Sequence, residues 1–228
     1  TGNLESIKIV FIFSFFLGIV SFNSSAQIPT LNVLNNRFEL FTGPLYYFPN
    51  AAIIGSPFLD TSRYNATIFY NGRTYKEIET FFDIASNDFA VKNENGNWVV
   101  IESERIDSIQ VGEYKFKHFK GLNKLSAKGK RKLFEVYETS KSTLIIEHDK
   151  NLVERIVNNT LEREYLYEPK YFIKTNEKIS SITSAKGLIK LFPDKAKELR
   201  MFYKENDKFK NLSKGAAMKA LLQYYSRL

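Results

Sequence analysis

The chain has 228 residues, 43% of them hydrophobic and 25% charged, which allows a sizeable core and excludes a disordered chain. Lys and Arg outnumber Asp and Glu by 33 to 25, a net charge of +8 that favours anionic over cationic partners. Cysteine is absent, which excludes disulfides and thiol catalysis.

Residues 1–26 read as a signal peptide. "IVFIFSFFLGIV" (9–20) is an unbroken apolar run, shorter than the roughly 20 residues that span a bilayer. "SFNSSAQ" follows, with Ser24 and Ala26 at the small-residue positions and the cleavage expected between Ala26 and Gln27. Lys8 is the one positive charge ahead of the apolar run. With Gln27 where a lipid-bearing cysteine would stand, the mature protein is expected to be periplasmic or secreted. It should have no transmembrane span.

Residues 27–182 are expected to form an antiparallel β domain. Pro44, Pro49 and Pro57 with Gly43 and Gly55 restrict the first part to short edge strands and loops. "TIFYNGRTY" sets Asn71-Gly72 between two strand-like runs, a dipeptide suited to a type I′ turn, and "FAVKNENGNWVVIE" repeats the device with Asn95-Gly96. "IDSIQVGEYKFKHF" turns at Gly112. Further strand pairs are expected in "KLFEVYETSKSTLIIEH" and "KYFIKTNEKISSI". Consecutive hairpins predict a meander of eight to ten strands over 64–182.

At 183–228 the pattern becomes helical. Ser184 caps "AKGLIKLF", "KAKELRMFYKEN" carries Leu199, Phe202 and Tyr203 at helical spacing, and Ser213 caps "KGAAMKALLQYYSRL". The fold class predicted is α+β: an antiparallel β-meander, as a twisted sheet or partial barrel, with a C-terminal cap of two or three short helices.

"GSPFLD" (55–60), the "FYNGRTY" hairpin, "RIDSIQVGEYKF" (105–116) and "LIKLFPDKAKELRMFYKEN…LLQYY" together resemble a large family of uncharacterised secreted proteins of Bacteroidota-type bacteria. The resemblance covers roughly residues 50–228 and implies export and a shared fold, with no activity to carry over. The tract at 121–132 and the segment around 149–168 depart from it.

No catalytic signature stands out. A Ser-His-Asp triad would need His118 or His148 beside an activated serine, and no Gly-x-Ser-x-Gly elbow or phosphate-cradling glycine loop occurs. The two histidines suggest either a metal pair drawn from two strands, with Glu147 or Asp149 assisting, or satisfied residues at strand ends. No tight ligand spacing is present, so neither metal nor cofactor is expected. Glu102, Glu104 and Asp107 form the nearest carboxylate cluster, and turn position and alternation explain them as solvated side chains.

The sharpest electrostatic feature is "KFKHFKGLNKLSAKGKRK" (115–132). Lys115, Lys117, Lys120, Lys124, Lys128, Lys130, Arg131 and Lys132 stand there with no acid among them, interleaved with Phe116 and Phe119. One reading is a docking surface for lipopolysaccharide, lipid headgroups or polysaccharide, without specific nucleic-acid recognition; the other is a lysine-solvated hairpin loop. The aromatic "LYYFP" (45–49) is either a ligand platform or the cover of a sheet edge.

The function expected is therefore an exported, non-enzymatic binding or structural protein with a basic surface for an anionic partner. The alternatives are a barrel-like carrier of a small apolar ligand and a carboxylate-dependent hydrolase. The basic helical stretch 184–206 alternates its lysines with Glu198 and Glu205, and is expected to serve as an amphipathic cap on the sheet rather than as a ligand site.

Overall fold

A computed structural model describes residues 41–49, 52–60, 62 and 64–228, apart from 123, 127, 128 and 177. The expected cleavage site at Ala26 and Gln27, and Lys128 of the basic tract, lie outside the described residues.

The strands are β1 (Tyr64–Tyr70), β2 (Arg73–Asp83), β3 (Asp88–Lys92), β4 (Trp98–Val100), β5 (Ile106–Val111), β6 (Tyr114–Lys117), β7 (Phe134–Glu138), β8 (Thr143–Glu147), β9 (Lys150–Val157), β10 (Thr160–Tyr167), β11 (Lys170–Thr175) and β12 (Lys178–Ile182). The helices are α1 (Ala185–Lys190), α2 (Ala196–Glu205) and α3 (Lys214–Arg227). Ten strands form one antiparallel sheet in the order β12-β11-β8-β7-β6-β5-β1-β2-β3-β4, and β9 and β10 pair apart from it. This is the α+β meander with helical cap that the residue pattern predicts, and the sheet is not closed.

Turn chemistry explains the hairpins. Asn71 and Gly72 both have positive φ between the paired Tyr70 and Arg73, as a type I′ turn requires. At the β3–β4 turn the expectation needs correction. Among its residues Gly96 alone is left-handed, and the bonds Gly96 N–H to Asn93 O and Asn93 N–H to Asn97 O build a five-residue loop between Lys92 and Trp98. Asn158 and Asn159, both left-handed, close a tight turn between Val157 and Thr160. That hairpin is not among those expected from sequence. Within β2, Glu77 is left-handed at a bulge opposite β1, and the strand bends there before pairing with β3.

The segment 41–49 covers the edge of β4. Tyr46 N–H donates to Trp98 O, and Val100 N–H donates to Pro44 O. Phe41 is buried against Tyr70 and Tyr75. Tyr46 and Phe48 pack on Phe58, Phe81 and Trp98, so within "LYYFP" these two rings serve as edge cover. A β-carbon at Gly43 would lie 2.0 Å from the Val100 carbonyl oxygen. Gly43→Ala is therefore expected to lift this segment from β4 and to cost about 2 kcal/mol or more in urea unfolding. A cost below a few tenths would show that the segment yields freely.

Two main cores result. One lies within β1–β6, around Ile68, Ile78, Phe89, Ile109 and Phe116. The other lies where the helices cover β8 and β11, with Met218, Leu221 and Leu222 on Leu144, Ile146 and Ile173. Ser184 and Ser213 cap α1 and α3 through bonds from Gly187 N–H and Ala216 N–H, as their positions predict.

Candidate functional site

Between the two cores, where the sheet faces α3, lies a cleft of about 660 Å³. Aromatic side chains dominate its walls, among them Phe81, Tyr114, Tyr137 and Tyr171. Ala216, Lys219 and Ala220 face it from α3; the two alanines leave open space where larger side chains would fill it.

The cleft wall holds a polar array beside these aromatic side chains. Glu135 on β7 is 2% exposed, and both of its oxygens are engaged. Lys219 Nζ donates to Oε1 at 2.5 Å, and His148 Nε2 lies 2.7 Å from Oε2. His148 Nδ1 lies 2.7 Å from the hydroxyl of Tyr167, at the end of β10. A neutral imidazole satisfies every partner: Nε2–H donates to Glu135, and the Tyr167 hydroxyl donates to Nδ1. Lys219 also stands 4.9 Å from the centre of the Tyr114 ring.

The electrostatics follow from these contacts. Burial alone would push the Glu135 carboxyl up, but the hydrogen bonds from His148 and Lys219 and the Lys219 charge outweigh it and hold the group below the usual carboxylate range. Tyr167 is 47% exposed as a residue, with its hydroxyl turned to His148. Desolvation, with nearby Tyr171 and Glu135, pushes it well above the ordinary phenol value, so it remains a donor. Asp60 and Glu113 also line the cleft, and Asp60 accepts from the Tyr64 hydroxyl.

The basic tract is largely answered from within the chain. Lys115 and Lys117 both reach Glu138, at 3.1 and 2.5 Å. Lys124 and Lys132 converge on the buried Glu147, and Lys132 also reaches Asp149. Lys130 reaches the buried Asp88 at 2.6 Å. The acids come from β3, β7, β8 and the short β8–β9 connection, distant in sequence from most of the lysines. Lys120 and Arg131 are exposed, while Phe116 lies in the core and Phe119 packs against Phe134 and its neighbours.

His118 and His148 occupy separate settings. His118 bridges two carbonyl oxygens, Nδ1 to Lys132 at 3.0 Å and Nε2 to Ser103 at 2.7 Å, and so ties the chain after β6 to the β4–β5 connection. No group of three or more His, Asp and Glu able to hold a metal occurs among the described residues. Glu102, Glu104 and Asp107 turn to different partners: Arg105, the Arg131 N–H and the Gly72 N–H. The sequence reading singled out His148 but not Glu135, Tyr167 or Lys219. The one local signal for Glu135 is a charge between apolar neighbours in "LFEVY".

No helix among the described residues is long and apolar enough to cross a membrane. No family model matches the chain, and neither a curated protein nor a solved structure matches it significantly.

Proposed function

We propose that this is a non-enzymatic binding protein of the periplasm or extracellular space, with the cleft beneath α3 as its ligand site. The cleft itself carries the reading: about 660 Å³ is the size of a small-molecule site. Its aromatic walls suit a flat apolar body, and Lys219 and Tyr167 at the wall suit one hydrogen-bonding group on the ligand. Export is supported by the apolar leader and by the resemblance to secreted Bacteroidota-type proteins. This is the carrier reading, with a sheet and a helix enclosing the ligand in place of a closed barrel.

Neutral 2-naphthol tests it, being planar and apolar with one hydroxyl. Saturable one-to-one binding is expected by calorimetry. Ala220→Phe, which fills the cleft from α3, should abolish binding while leaving the circular dichroism spectrum unchanged. Equal binding by both proteins, or none by the wild type, would sink the reading.

The hydrolase alternative asks for a carboxylic acid held protonated near neutrality. Glu135 is held in the opposite state, with both oxygens occupied. A docking surface at 115–132 for lipopolysaccharide or another anion is the remaining alternative. Because five of its lysines already hold acids, its open cations among the described residues are Lys120 and Arg131.

A further inference from the structure

The helical stretch read from sequence as a plain cap encloses a second cleft, of about 450 Å³, between α1 and α2. Its lining is unlike that of the first. Lys186 and Lys190 come from α1, and Arg200 and Lys204 from α2. In each pair the residues are four apart and share a helix face, where like charges repel. Ile189, Tyr203 and Phe209 supply the apolar part, with the Tyr203 and Phe209 rings 5.0 Å apart. Among the described residues, no Asp or Glu lines this cleft.

None of these four cations is paired with a carboxylate among the described residues. The contrast with the tract at 115–132 is informative. There, clustered lysines are neutralised by acids from neighbouring strands; here, four cations face one apolar hollow with nothing to oppose them. Asn206, the remaining polar residue of the lining, donates its side-chain N–H to Phe202 O, so it brings no negative charge. Repulsion among four cations around a common cavity is relieved by an anion, and the floor beneath them is suited to hydrocarbon.

We infer that the α1–α2 cleft is a second binding site, for a free single-chain anionic amphiphile of the fatty-acid type. The volume fits one acyl chain, and the concave form favours a dissociated molecule over the flat surface of a bilayer. Arg200 offers the forked, two-bond geometry that matches a carboxylate, while the three lysines act as point charges around it. This site does not depend on the ligand proposed for the cleft beneath α3.

Decanoate below its micellar concentration, titrated calorimetrically into the full chain, tests the assignment against decan-1-ol as its uncharged twin. One-to-one binding of decanoate is expected, at least about tenfold tighter than that of the alcohol and weakening as ionic strength rises. Lys190→Gln combined with Arg200→Gln should weaken decanoate binding at least about tenfold and leave the alcohol unaffected. Lys186→Gln combined with Lys204→Gln, also at exposed positions, repeats the test should the first pair perturb folding. Ala220→Phe, in the other cleft, should change nothing. Equal affinity for acid and alcohol would overturn the inference. So would retention of decanoate binding in the folded charge variants, its loss in Ala220→Phe, or binding confined to phosphatidylglycerol vesicles.

Discussion

Replacing Glu135 by leucine is expected to lower the unfolding free energy by about 3–5 kcal/mol, measured by urea denaturation. The substitution strands Lys219 beneath the helix, with its side chain 21% exposed, and leaves the His148 Nε2–H without its acceptor. Removing both charges together, as Glu135→Leu with Lys219→Met, should recover most of the loss, because no uncompensated cation then remains. A double variant no more stable than the single one would show that the ion pair is not the cause.

The same carboxylate gives a pH signature. Its folded value is depressed, so its ionised form contributes stability that is present above the ordinary carboxyl value of 4.5. That contribution is lost as the pH falls through the folded value. Glu147, raised by burial but brought down further by Lys124 and Lys132, acts in the same direction, as does Glu138 through Lys117 and Lys115. The wild type should therefore lose stability more steeply on acidification than Glu135→Leu does. Parallel acid curves for the two proteins would contradict this assignment.

Phe116→Ala is expected to cost about 3–5 kcal/mol and to leave any binding at the protein's charged surface unaltered. The ring is 1% exposed and lies 5.2 Å from Phe82, 5.4 Å from Phe89 and 6.1 Å from His148. Sequence placed it beside lysines, as an aromatic interleaved in a docking tract; strand alternation turns it inward while Lys115 and Lys117 turn outward to Glu138. A loss below about 1 kcal/mol would mean that the core refills the space.

These cases show what could be read from the residues. The hairpins at Asn71-Gly72 and Gly112 and the caps at Ser184 and Ser213 are local devices, so their positions in the sequence locate them in the fold. The β9–β10 hairpin turns on Asn158-Asn159, a weaker signal than Asn-Gly, and its exposed strands lack clean alternation. The polar array was illegible for another reason. Glu135, His148, Tyr167 and Lys219 come from β7, the residue after β8, the end of β10 and α3, and nothing local announces their convergence. The acid-free look of 115–132 misled in the same way, because its partners are brought in by the fold from other strands rather than by sequence neighbours. The stretch 184–206 has nearby acids in sequence, but Glu198 answers Lys195 and leaves the cleft cations alone.

The strand order also bears on how the chain reaches this state. Of the nine pairings within the ten-stranded sheet, seven join strands adjacent in sequence, and two do not: β1 with β5, and β8 with β11. Apart from β6–β7, joined by residues 118–133, the sequential hairpins close short loops quickly, whereas the other two pairings must first meet the entropy of closing longer segments. The β9–β10 hairpin lies wholly inside the second of these, pairing with itself, and so shortens the effective span between β8 and β11 before they dock. The β1–β5 junction must span β2, β3 and β4, which pair with one another but build outward on the far side of β1. Folding should thus be paced by the meeting of Ala66–Tyr70 with Ile106–Val111, the seam at which the two halves of the sheet become one.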